Sequence, residues 1–97
     1  MKTEKQNNVI FYIKQVRESL GYSQKRLADL LGVSHGQIGN IESLRTSHKY
    51  TLEQIQCICE VFNIRIELVF LQEDEIVKSK NLIDSLIKEI VKYEQKK

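Results

Sequence analysis

Apolar residues first fall into register at Val9, Ile13, Val16 and Leu20, spaced four, three and four apart. That spacing predicts a helix from Asn7 or Asn8 that ends at Gly21, with the polar residues Met1 to Gln6 frayed ahead of it. Leu27, Leu30 and Leu31 give a second stripe, opened by Ser23 and closed by Gly32, a residue free to take the left-handed conformation that follows a helix. A third helix starts at the cap Ser34 and turns Ile38 and Ile41 inward. A fourth starts at Thr51 and buries Leu52, Ile55, Ile58, Cys59 and Phe62. Each of these three helices opens on one arrangement: an apolar residue, Ser or Thr, two spacers, a polar residue and another apolar one. It is a cap combined with a hydrophobic staple.

After Asn63 the period changes. Ile64, Ile66, Leu68 and Phe70 alternate with Arg65, Glu67, Val69 and Leu71, which predicts a short strand. A lone strand needs a partner, and a second copy of the same strand is the expected one. From about Ser79 to Tyr93 the helical period returns. Leu82, Ile83, Leu86, Ile87, Ile90 and Val91 form a wide apolar face opposite Lys80, Asp84, Lys88 and Lys92. Such a face either packs back on its own domain or serves as a dimer seam or a docking surface, and its width favours association.

The segment from Tyr22 to Glu42 organises the rest. Two short helices joined by so tight a turn must cross steeply, which pushes the second outward as a reading head. Its residues resemble the helix-turn-helix of the Cro/CI-like, or XRE, family of regulators. The matching positions are Ser23-Gln24, Leu27-Ala28, Leu31-Gly32-Val33-Ser34, Ile38 and Ile41-Glu42, together with Arg17 and the Thr51–Ile64 segment.

The resemblance implies a mainly α, lambda-repressor-like helix-turn-helix domain of four core helices over residues 7–64. A short strand and a C-terminal amphipathic helix follow as a dimerisation or partner-binding extension over 65–97. It implies DNA contact from the first turn of the second helix (Gln24, Lys25, Arg26), from the third helix (Ser34, His35, Gly36, Gln37, Gly39, Asn40, Ser43), and from Arg45 and Lys49 beyond it. Asn40 suits adenine through a bidentate bond, and His35 can donate to a guanine acceptor. Gln37 either caps the backbone of Ser34 or reads a base. Arg17 and Glu42 form a structural pair tying the first helix to the third. Dimer contacts are expected from Ile66, Leu68, Phe70, Ile83, Leu86 and Ile90.

Composition adjusts this picture in two places. Net charge is only +2, yet residues 1–20 and 21–52 are each net +2 while the remainder is net −2, so the basic excess lies beside the reading head. Gly36 and Gly39 each cost roughly 0.8–1 kcal/mol of helix propensity relative to Ala. They point to close backbone approach to the groove or to a weakly specifying helix.

Cys57 and Cys59 lie two apart on a helix, so they face different ways and can neither pair nor share a metal. Cys59 reads as a small core residue and Cys57 as a partly exposed thiol. No apolar run is long enough for a membrane span and no signal peptide is evident, so the expected setting is a reducing cytoplasm. Neither a nucleophile–base set, a metal cluster nor a phosphate-cradling glycine loop stands out, and His35 and His48 have no ligand-spaced companions. The expectation is therefore a regulator that needs no cofactor and is not an enzyme. It would act as a repressor, a dimer on a twofold-symmetric operator in double-stranded DNA. The competing reading is an antitoxin whose C-terminal third neutralises a toxin protein while the helix-turn-helix autoregulates the operon.

Overall fold

The structure is a computed structural model that describes residues 2–95, with only the backbone of Glu73. Met1, part of the segment expected to fray, lies outside the described residues. Among the described residues seven helices follow one another: α1 Glu4–Ser19, α2 Gln24–Leu31, α3 His35–Glu42, α4 Leu52–Phe62, α5 Ile66–Phe70, α6 Glu73–Lys78 and α7 Leu82–Glu94.

Helix α1 begins earlier than its apolar stripe. Thr3 accepts from the Gln6 backbone N–H at 3.1 Å, and the Gln6 side chain accepts from the Thr3 N–H at 3.0 Å, a complete capping box. Glu4 to Gln6, part of the segment expected to fray, are thus the first turn of the helix. Val9, Ile10 and Ile13 enter the core from it. Gly21 ends the helix at φ +78°, and the Tyr22 N–H closes back onto the Arg17 carbonyl at 2.9 Å.

Helix α2 opens on Ser23, whose hydroxyl accepts from the Arg26 N–H at 3.0 Å, and closes on Gly32 at φ +69°. Ser34 caps α3 by accepting from the Gln37 N–H at 3.1 Å. Thr51 and Gln54 form a full capping box on α4. That helix ends on Asn63, the sole non-glycine residue with positive φ among those described (φ 54°).

The predicted strand is absent: the described residues contain no strand, and Ile66–Phe70 is a helix of five residues. The alternation misled because four alternating apolar positions over seven residues, about two helical turns, also contain the four-residue spacing of a helix, from Ile64 to Leu68 and from Ile66 to Phe70. Val69, which a strand would have turned away from Phe70, is buried beside it, and Ile64 and Ile66 pack against the same core. The helix satisfies its own backbone, with the Leu68 N–H donating to the Arg65 carbonyl and the Leu71 N–H to that of Glu67, so no partner strand is needed. The expected strand pairing between two copies falls with it.

Helices α5 and α7 pack on α1 and on each other. Tyr93, near the end of α7, is fully buried in the same core as Ile13, Ile38, Tyr50 and Ile55, and meets Phe70 edge-on with ring centroids 5.6 Å apart. Its hydroxyl donates to the Tyr50 carbonyl at 2.7 Å. The amide of Gln6 donates to the carbonyls of Tyr93 at 2.7 Å and Gln95 at 3.2 Å, satisfying two groups at the C-terminal end of α7. Lys5 adds a bond to the Phe70 carbonyl and an ion pair with Glu89, both at 2.7 Å. Burial alone would push the Glu89 carboxyl up. Hydrogen bonds from Lys5 and Lys92 outweigh that and hold it below the usual carboxylate range.

Candidate nucleic-acid interface

Behind the reading head lies a bonded polar network. Arg17 and Glu42, nearly inaccessible side chains on α1 and α3, meet through two bonds: Nε to Oε2 at 2.9 Å and Nη2 to Oε1 at 3.0 Å. The remaining guanidinium nitrogen, Nη1, donates to the Tyr22 carbonyl at 2.6 Å, so one arginine ties α1, the turn before α2 and the end of α3 together. Gln24 joins the network by donating from Nε2 to Glu42 Oε1 at 2.9 Å. Because a carboxylate only accepts, this bond fixes the amide and turns its oxygen toward His35 Nε2, 3.3 Å away.

The expected contact residues divide by what they touch. Lys25 is exposed in the first turn of α2, while Arg26 lies over the Tyr22 ring with its guanidinium carbon 4.0 Å from the centroid. Tyr22 in turn packs edge-on against Phe62 at 5.0 Å. Arg26 therefore stands on an aromatic stack and keeps its outer edge in solvent. Gln24 is committed to Glu42 through its side chain, so its exposed capacity toward a phosphate is the backbone N–H at the start of α2.

On α3, His35, Gly36, Gln37 and Asn40 are exposed and Gly39 is half-buried. The Gln37 side chain does not fold back on Ser34, whose cap is the hydroxyl half of the box alone. Neither Gln37 nor Asn40 spends its side-chain amide on another described residue; Asn40 uses its carbonyl instead, accepting from Thr46 Oγ1 and the Ser43 N–H. A Cβ added at Gly36 would meet nothing within 4 Å, and one at Gly39 would meet only the Gln24 side-chain oxygen at 3.8 Å. The fold itself does not require glycine at either place.

Beyond α3, Ser43 is half-buried, its hydroxyl accepting from the Arg45 N–H at 3.1 Å, and Arg45 is exposed. Lys49 is placed differently. Its ammonium donates to the Tyr93 carbonyl at 3.1 Å and lies 4.9 Å from that ring, anchoring the loop to the C-terminal end of α7. Lys2, which sequence reasoning left in a frayed tail, donates to the carbonyls of Ile41 at 2.7 Å and Ser43 at 2.6 Å and so caps the C-terminal end of α3. No residue-type pattern marks it, because its partners are backbone carbonyls.

Of the positions assigned to dimer contacts, Phe70 is fully buried, Leu86, Ile90 and Ile66 lean on the core, and Leu68 is half-buried. Ile83 is 69% exposed.

This arrangement agrees with the comparisons to known proteins. The helix-turn-helix family HTH_3 matches residues 13–69, more than half of the chain and the whole of the Arg17–Glu42–Gln24 network behind the reading head. The chain belongs to this family, the XRE-type helix-turn-helix regulators. It is also similar to the crystal structure of a point mutant of the restriction-modification controller protein C.Esp1396I. The two share 26% identity over 97% of this chain and 100% of that one, with a TM-score of 0.56. No curated protein matches the chain. The chain is accordingly a DNA-binding transcriptional regulator. No described helix is long and apolar enough to cross a membrane.

Proposed function

We propose that the chain acts in the cytoplasm as a repressor, binding a short twofold-symmetric operator as a dimer and occluding promoter DNA. The supporting observation is the contrast on α3. Its inner side is tied down through Glu42, Ile38 and Ile41, while the outer amides of Gln37 and Asn40 have no bonded partner among the described residues. A rigid helix with uncommitted amides suits base edges, since no existing bond is broken when a base is read. Arg26, Lys25, Arg45 and the N-terminal ends of α2 and α3 supply the phosphate contacts, which hold register without reading sequence. The likeness to a controller protein supports a regulatory rather than an architectural role.

Footprinting against the DNA upstream of the gene tests this. Two protected half-sites about 10 base pairs apart, centre to centre, are expected. Uniform coating of the fragment, or protection of a single half-site, would contradict it. The antitoxin reading draws on the exposed side of α7 and would be favoured by a second protein that co-purifies in fixed ratio and shields that side.

A further inference from the structure

Helix α7 turns only one side of its apolar surface toward the core. Leu86, Ile90 and Tyr93 turn toward α1 and α5, whereas Ile83, Ile87 and Val91 are 69%, 53% and 57% exposed. These three advance by about 40° at each step of four residues, so they form one continuous stripe along the helix. On one side the stripe is bordered by the body of its own domain. On the other it is bordered by Asp84, Lys88 and Lys92, all exposed and offset by the same steps.

We propose that a second copy of this chain covers the stripe, with the two α7 helices antiparallel about a twofold axis passing Ile87. This names the seam of the dimer proposed above and rests on that reading. Charge decides the orientation. An antiparallel pair brings the free border of one helix against the same border of the other with its direction reversed. Asp84 of one copy then faces Lys88 and Lys92 of the other, twice over, while Ile83 meets Val91 and Ile87 meets itself.

A parallel pair would instead press the charged border of one copy against the protein body of the other, where α1 and α5 already pack. Lys88 has no bonded partner among the described residues, and Lys92 is held only by an exposed bond to Glu89 at 3.2 Å. Both cations are available to the opposing aspartate.

The test uses the full-length chain with Cys57 replaced by serine. Ile87→Cys places a thiol on the proposed axis, and Leu44→Cys places one at a position 86% exposed beyond α3 as a control. Under mild oxidation the Ile87→Cys variant should become a disulfide-linked dimer that reductant reverses and that still protects both half-sites, while the Leu44→Cys variant stays uncross-linked. Asp84→Lys should weaken dimerisation in sedimentation by at least about tenfold, and adding Lys88→Asp should restore it. If the chain sediments as a dimer but the Ile87→Cys variant does not cross-link, or the Leu44→Cys variant cross-links in its place, this seam is overturned and the dimeric reading stands. A chain that stays monomeric at tens of micromolar and protects one half-site overturns both.

Discussion

The two ends of the chain are built on different kinds of information. From Ser23 to Asn63 every helix carries its own start, with Ser23, Ser34 and Thr51 capping the next turn within three residues. Helices α2 and α4 also carry their own stop, the left-handed Gly32 and Asn63, while Lys2 holds the end of α3. From Ile66 to Glu94 distant groups do more of the holding: Arg65 gives α5 no side-chain cap, and although Asn81 caps α7 locally, Gln6, Lys5 and Lys49 tie the tail down from far along the chain. Local caps determine an element wherever it sits. Long-range anchors determine it only once the rest has folded, so the C-terminal third is expected to be stable only as part of the whole.

The sharpest way to break that contrast is at Tyr93, fully buried between Phe70 and Tyr50. Tyr93→Ala should cost about 3–5 kcal/mol, in the range for aromatic truncation in a core. Denaturation should remain a single cooperative transition. A small loss, or a separate early transition for the tail, would make α7 an appendage. Truncation after Gln72 should be similarly damaging, because it removes Tyr93 along with the exposed stripe.

Next in size is the pair behind the reading head. Glu42→Ala leaves Arg17 charged and nearly inaccessible with only the Tyr22 carbonyl and an exposed glutamate 3.7 Å away. A loss of about 3 kcal/mol or more is expected. A double-mutant cycle on Arg17 and Glu42 should give a clearly nonzero coupling; a value near zero would mean the two act separately.

These two predictions also mark what the sequence could convey. The helix-turn-helix was readable because its caps, its turn glycine and the Arg17 and Glu42 positions leave residue-type traces at fixed spacing. The bonds from Lys2, Lys5, Gln6 and Lys49 leave none: each ends on a backbone carbonyl, in the case of Gln6 and Tyr93 one 87 positions away. Helix α5 was read as a strand because five residues are too few for the two periods to diverge. The bond from Lys49 to the Tyr93 carbonyl had no local signal, since the sequence shows only a cation in a polar loop beside α3.

A smaller effect concerns pH. Glu89 is held below the usual carboxylate range by Lys5 and Lys92, so its contribution is complete above the ordinary glutamate pKa of about 4.3 and is lost as pH falls through the lower folded value. Stability measured across that acid window should therefore decline less steeply in Lys5→Met than in the parent chain. An unchanged slope would remove the Lys5–Glu89 pair from the account of how α7 is held.

The smallest expected change sharpens the other side. Gly36 has open space around its Cβ position, so Gly36→Ala should stabilise the free protein by about 0.8–1 kcal/mol. If operator affinity falls despite that gain, the glycine serves close approach to DNA; if affinity is unchanged, α3 simply carries a weak helix former.

The central claim is that α3 reads bases while the first turn of α2 holds phosphates, and paired binding measurements on Asn40→Ala and Arg26→Ala test it most directly. Asn40→Ala should lower operator affinity by roughly 1–3 kcal/mol, relax preference at one base position and leave binding to random DNA nearly unchanged. Arg26→Ala should weaken operator and random DNA alike and reduce the salt slope by about one unit. Equal losses on both DNAs from both substitutions would contradict the assignment of α3 as the reading helix.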